Sequence, residues 1–313
     1  MLAIILTLLV NTVSAQDLAR FRMPVSADSS LEINYPHVEL EVEALDNPQL
    51  EIAVNDKKNV KVLRIGKKYR IEAASDDVLA LGPNVPLVKV ILKGPSLNLS
   101  VHSFKSKIQI QKWRHPLQVS GVNTELMILN HQSGVQVFAT DVNLSVNGGS
   151  GFVKVKSQNL GAKVQKSASN IELRQHKAKL ELLESSGSVF LDGKTVDLFS
   201  AGHSGHMELK VDSGSVELQK MIGHGEIQSE NVKYKLQLEP LSRVDIVDKS
   251  SRFEVLRIQP LQVELSTESG AIQGDGIKPY RLNGNLEYKG RAQQGTQPGI
   301  LKINTLSGKI IFK

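Results

Sequence analysis

The residues of this 313-residue chain best suited to chemistry are His203, His206 and His224, gathered in a glycine-rich stretch. His203 and His206 lie three apart, and His224 follows 18 residues after His206. If two nine-residue units make one structural repeat, His206 and His224 stand one above the other. With His203 beside them, their imidazole nitrogens could hold zinc. Glu208, Asp212, Glu217 and Glu226 are the acidic ligands in or beside the stretch. The plainer reading is a polar turn that contains histidines, and no metal, cofactor or catalytic residue is expected.

A second candidate is electrostatic. Residues 1–56 hold two Arg against nine Asp and Glu, whereas residues 57–124 hold thirteen Lys and Arg against Glu72, Asp76 and Asp77. No acidic residue occurs from Val78 to Thr124. Such a segment attracts anionic polymers or membrane surfaces if its charge is free, with Lys105, Lys107, Lys112 and Arg114 as the contact residues. The alternative is a solvated face that Lys keeps soluble. Nucleic acid is not an expected partner, because Tyr69, Phe104 and Trp113 are too sparse for a stacking platform.

Other chemistry is missing from the sequence. Gly223-His224-Gly225 and Gly274-Asp275-Gly276 are turn glycines with no helix pattern after them. Gly202-His203-Ser204-Gly205 lacks the five-residue nucleophile elbow, and there is no His-Glu-x-x-His. The chain has no cysteine, which excludes disulfides, thiolate metal sites and a cysteine nucleophile.

The elements that must position these residues are short strands. Apolar and polar residues alternate in Val88-Lys89-Val90-Ile91-Leu92, Leu97-Asn98-Leu99-Ser100-Val101, Ile108-Gln109-Ile110 and a long series of similar runs reaching Ile272. Alternation at period two marks half-buried strands. Their starts recur about every nine residues, so a unit is filled by one strand and one turn, leaving no room for a helix. Ser-Gly precedes a strand at Gly134, Gly151, Gly187, Gly205, Gly214, Gly270 and Gly308. Their separations keep phase with nine, in odd and even multiples alike, so they do not decide between two and three strands per coil. Aromatic residues make up only 4% of the chain, so the core must be Val, Ile and Leu.

These patterns predict an all-β chain: a β-solenoid, or β-helix-like stack, of roughly nine-residue units, with an antiparallel multi-strand meander as the alternative. Residues 1–15 read as a signal peptide, with the apolar run Leu2 to Val10 and a cleavage pattern at Val13-Ser14-Ala15. Residues 16–85 read as an N-terminal β cap and residues 86–313 as the strand-repeat domain. Gly82-Pro83-Asn84-Val85-Pro86 is the joint between them. No stretch of the mature chain is apolar enough to span a bilayer as a helix.

The segments Ser186-Gly187-Ser188-Val189-Phe190-Leu191, Ser213-Gly214-Ser215-Val216-Glu217-Leu218 and Thr305-Leu306-Ser307-Gly308-Lys309-Ile310-Ile311-Phe312 resemble the bacterial β-strand-repeat proteins of unknown function, of the adhesin type. The entry segment from Leu40 through Ile71 is also similar to them. The resemblance implies an exported envelope protein, in the periplasm or at the cell surface, with a solenoid-like fold and no catalytic residues. The expected function is therefore a structural or adhesin-like surface that contacts envelope or cell-surface components. One alternative is a periplasmic binding module for an anionic glycan or lipid through region 57–124. Another is a β-helix polysaccharide-active enzyme, which would need an acidic cluster on one outer face.

Overall fold

The computed structural model describes residues 18–26, 28–47, 49–76, 84–256, 261–274, 277–290 and 299–313. The expected signal segment 1–15 lies outside them, as do Gly82 and Pro83 of the expected joint. Every element that the described residues form is a strand, and all are joined in one hydrogen-bonded network. Seven come first: β1 (Ala19–Pro24), β2 (Ser30–Asn34), β3 (His37–Ala44), β4 (Gln49–Val54), β5 (Val60–Ile65), β6 (Lys68–Ala73) and β7 (Val88–Gly94). Six longer elements follow: β8 (Asn98–Gln111), β9 (Leu117–His131), β10 (Gly134–Gln165), β11 (Ala168–Leu183), β12 (Val189–Ala201) and β13 (Ser204–Leu238). The last eight are β14 (Arg243–Asp248), β15 (Arg252–Val255), β16 (Leu261–Thr267), β17 (Ala271–Gln273), β18 (Tyr280–Leu282), β19 (Asn285–Gly290), β20 (Gly299–Thr305) and β21 (Lys309–Phe312).

The middle of the chain obeys one rule. β8 pairs β9, β9 pairs β10, β10 pairs β11, β11 pairs β12 and β12 pairs β13, all in parallel, with each residue facing the residue 18 positions on, as in Leu99↔Leu117 and Val189↔Met207. β10 and β13 are long because each runs through two levels of the ladder. Within β13, Ile222 N–H donates to His203 O at 2.9 Å and continues the same step.

Each level has two arms. In β8, Leu99, Val101 and Ser103 are buried, Phe104 and Lys105 are both exposed, and Ser106, Ile108 and Ile110 are buried again. Two consecutive outward residues shift the alternation by one, as a bulge does, and both arms turn their apolar side chains into one continuous core. The alternation that defines the strands is thus also what fills the interior.

Ser-Gly pairs sit at the bends between arms, on both sides of the level. Gly205 has φ +140°, and a Cβ there would stand 2.2 Å from Gly187 O. Gly214, at the opposite bend, has φ +123°, and its Cβ would stand 2.0 Å from Val196 O. Only glycine admits both the backbone angle and the close approach of the level below.

Pairing departs from chain order at both ends. β2 and β3 stack directly on β8, with Leu31↔Leu99 and Leu40↔Ile108, although residues 45–97 intervene. On their other side they pair β6 and β7, and antiparallel β5, β4 and β1 cover these in turn. The parallel ladder therefore crosses the expected boundary at residue 85, and β7 lies beyond β3 rather than opening the repeat. At the other end, β20 and β21 insert between β14–β15 and β16–β17, so that Val244 faces Leu301 and Leu301 faces Val263. Antiparallel β19 and β18 extend the outermost level. These hairpins cover part of the open backbone that the last parallel strands would present.

The core follows the same division. Buried aromatic side chains occur toward the two ends: Tyr35, Tyr69 and Trp113 at one, Tyr234, Phe253 and Phe312 at the other. Tyr234 and Phe253 stack at 4.7 Å. Between Leu117 and Met221 the described core is aliphatic, chiefly Val, Leu and Ile.

Candidate functional site

The 18-residue step turns outward residues into columns that run along the ladder at about 4.8 Å per level. Two adjacent columns on the second arm border a groove of about 1140 Å³. One column is Lys105, Asn123, Asp141, Asn159, Lys177 and Thr195; the other is Lys107, Glu125, Asn143, Gly161, Lys179 and Asp197. His37, Glu39 and Leu87 close its N-terminal end. A smaller hollow of about 430 Å³ shares Lys179 and Asp197 and prolongs it to Arg252 and Glu254.

The groove is prearranged by bonds between levels. Asn159 Nδ2 donates to Asp141 Oδ1 at 2.6 Å, Ser215 Oγ to Asp197 Oδ1 at 2.6 Å, and Thr195 and Ser213 share a hydroxyl bond at 3.2 Å. Basic, acidic and amide levels alternate along it: Lys105 and Lys107, then Glu125 and Asp141, then Asn159, then Lys177 and Lys179, then Asp197. Such a surface can hydrogen-bond an extended polar polymer at many points. It offers no nucleophile with an adjacent base.

Of the four basic residues singled out from the sequence, Lys105 and Lys107 line the groove. Lys112 and Arg114 instead flank the buried Trp113 at the bend between levels. Much of the remaining basic segment is neutralised by the acidic N-terminal one. Glu32 pairs with Lys68 and Arg70, Glu41 with Lys89 at 2.7 Å, and Glu43 with Lys93 at 3.3 Å, all across parallel strands. The Lys68 ammonium beside Glu32 holds that carboxyl below its usual range. The charge segregation of the sequence is thus in part a cross-strand pairing code.

The three histidines separate. His206 and His224 stack on the outer face of the first arm, rings edge-on with centroids 5.5 Å apart. His203 points inward and is 1% exposed, its Nδ1 bonded to Ser185 Oγ at 3.0 Å. Burial pushes His203 below the ordinary histidine pKa, and His131, four levels away in the same column, likewise. The described residues hold no group of three or more His, Asp or Glu able to bind a metal ion.

Sequence reasoning missed a carboxylate column next to the histidine pair, because only the register reveals it. Glu208, Glu226 and Asp245 follow one another on successive levels. Glu208 pairs with Lys210 at 3.2 Å, and Arg243 Nε donates to Asp245 Oδ2 at 2.7 Å. His224 Nε2 lies 3.5 Å from both Glu226 and Asp245. Cations on neighbouring positions compensate this column.

No protein-family model matches the sequence, and no curated protein matches it. Solved structures resemble it along most of their length at low identity. A candidate cell-adhesion protein from Clostridium sporogenes is 11% identical, with 95% of this chain and 99% of that one covered and a TM-score of 0.19. Candidate adhesins from Parabacteroides merdae and Parabacteroides distasonis are 9% and 12% identical. They cover 96% and 95% of this chain and 97% of their own, each with a TM-score of 0.29.

Proposed function

We propose that this chain is an exported, non-enzymatic β-solenoid whose outer face holds components of the bacterial cell envelope, in the manner of an adhesin. In this reading two nine-residue arms make one coil, residues 1–15 direct export, and the N-terminal strands close the first coil. The observation that carries it is the groove from Lys105 to Asp197. The 18-residue register lays amides, hydroxyls and both signs of charge along it at regular intervals, which suits an extended polymer better than a small molecule. Co-sedimentation of residues 16–313 with washed bacterial envelopes tests it. Binding should persist from about 50 to 300 mM salt, since matched polar contacts are screened less than a bare basic patch. The double variant Lys177→Glu, Asp197→Lys should weaken it about tenfold or more, a loss on the order of 1.4 kcal/mol. Failure to co-sediment, or an indifferent double variant, would overturn the reading.

One observation favours a second reading, a binding module for an anionic glycan or lipid. Lys105, Lys107, Lys112 and Arg114 have no carboxylate within 4 Å among the described residues, unlike Lys67, Lys68, Arg70, Lys89 and Lys93 of the same segment. Under that reading binding falls steeply with salt, and Lys112→Glu weakens it.

A further inference from the structure

The first arm carries a second concavity, of about 530 Å³, on levels that the groove also crosses but on the other outer face. Its lining combines two phenyl rings, Phe152 and Phe190, with Asn170, Glu172, Arg174 and His206. Phe152 is 43% exposed. Its ring occupies the space that a side chain at 134 would fill: a Cβ on Gly134 would stand 2.2 Å from the ring. Glycine there seats the ring against the level below and leaves its outer face to solvent. Phe190 is steadied by two cations, Arg174 and Lys210, each 5.6 Å from its centroid.

The polar groups between the rings are also held in place. Asn170 Oδ1 accepts the Ser188 N–H at 3.0 Å, which fixes the amide and leaves its Nδ2 donors without a partner among the described residues. Glu172 bridges Lys154 at 3.0 Å and Arg174 at 3.1 Å. Asn170 and Glu172 stand on the level between those of Phe152 and Phe190. The hollow is therefore a rigid, charge-balanced floor with an aromatic ring at each end.

Three features restrict what fits. Backbone donors and acceptors around the hollow are spent in the parallel ladder, so a peptide could not add as a strand. Glu172 and Glu208 border it and repel an anion. Its size suits a ligand of one or two rings. We propose that this hollow is a binding subsite for a neutral pyranose, a mono- or disaccharide unit of a larger glycan. The sugar's C–H face packs on the Phe152 and Phe190 rings, and its hydroxyl or acetamide groups bond Asn170, Glu172 and Arg174. The assignment is independent of the groove.

Saturation-transfer NMR on residues 16–313 tests it, with cellobiose and the N-acetylglucosamine disaccharide as probes at about 10 mM, a range suited to weak sugar binding. Transfer to sugar C–H protons is expected from at least one probe. Phe152→Ala and Phe190→Ala should each weaken binding about tenfold or more, and Asn170→Ala should weaken it measurably. Phe104→Ala, which removes an exposed ring elsewhere, should change nothing. All four side chains face outward, and thermal melts confirm that the variants fold. The groove variant Lys177→Glu, Asp197→Lys should bind the disaccharide as the wild type does, so loss of envelope binding and loss of sugar binding are separately visible. The proposal is overturned if neither probe shows transfer, if both Phe variants bind like the wild type, or if a uronic-acid disaccharide binds more tightly than the neutral ones.

Discussion

The middle of the ladder and its C-terminal end use the same strands in two different ways. From β8 to β13 each residue bonds to positions 18 before and 18 after it, so every level depends only on the two levels that touch it. At the C-terminal end the step grows to 57 residues between Arg243 and Ile300, and then runs backward by 38 from Ile300 to Gln262. The middle is a sum of local interfaces; the end holds together only when distant segments meet. The difference predicts that damage stays near its origin in the middle and spreads at the end.

The largest expected effect tests the first half of that contrast. Val216 is 1% exposed in the second arm of β13. Val216→Asp would bury an unpartnered charge, at a cost of about 4 kcal/mol. Hydrogen exchange should show lost protection in the levels around 198, 216 and 234, with the levels around 99 and 117 unchanged. Uniform loss from residue 98 to 312 would break the comparison. Glu217→Lys serves as control: it removes an exposed pair with Lys235 at 2.7 Å and should cost about 0.5–1 kcal/mol.

At the end, Asp248 is the corresponding position. It is 4% exposed and accepts from Ser229 Oγ at 2.6 Å, from Ser251 N–H at 2.6 Å and from Thr305 Oγ1 at 2.8 Å, as well as from Ser251 Oγ. One carboxylate thus ties three levels, one of them 57 residues away in sequence. Asp248→Ala leaves those donors unsatisfied and should cost about 3 kcal/mol. Limited proteolysis should then cut within both 261–273 and 299–312, although neither contains the substitution. Cutting confined to 243–255 would show that the end is as local as the middle.

A smaller effect is expected at the bends. Gly205→Ala forces a side chain into φ +140° and against Gly187 O, and should cost about 2 kcal/mol. Because Gly205 lies in the middle, its exchange signature should resemble that of Val216→Asp in extent and be weaker in degree.

How much of this was legible in the residues follows the same contrast. The nine-residue unit was readable because alternation is local, and runs such as Leu97 to Val101 and Ile108 to Ile110 became the two arms of one level. The 18-residue step was not readable from glycine spacing, since Ser-Gly marks both bends: Gly187 to Gly205 is one full step, whereas Gly187 to Gly214 is one and a half. The insertion of β20–β21 left no trace in any window, because pairing over 57 residues has no period. Charge was legible as a segregation but misleading as a field, for Glu32, Glu41 and Glu43 meet the basic strands directly. Lys105 and Lys107 were identified as contact residues, but Asp141, Lys177 and Phe152 were not. Their alignment exists only once the register is known, and comparing each outward residue with the one 18 positions on would have found them.

The smallest expected effect separates the interior from both outer faces. His131 and His203 are each 1% exposed, and burial holds both pKa values below the ordinary 6.5 of a histidine. Between the lowered folded value and 6.5 the unfolded chain binds a proton that the folded chain refuses, so stability falls as the pH drops through that window. Carboxylates act lower down. Lys235 holds Glu217 below 4.5, and Lys68 does the same for Glu32, so their contribution is present above 4.5 and fades as the pH drops toward their folded values. The two windows are therefore distinguishable. Met221 occupies the position one level beyond His203 in the same inward column and is fully buried, which makes His203→Met a substitution the interior accommodates. At neutral pH it should cost about 1 kcal/mol, the Ser185 hydroxyl losing its partner. Urea midpoints measured from pH 7 to pH 5 should then fall less steeply for the variant than for the wild type, His131 supplying the remaining slope. Below pH 4.5 the two curves should run parallel. Equal slopes from pH 7 to pH 5 would mean that His203 takes up its proton without leaving the fold, and that the inward column is open to water.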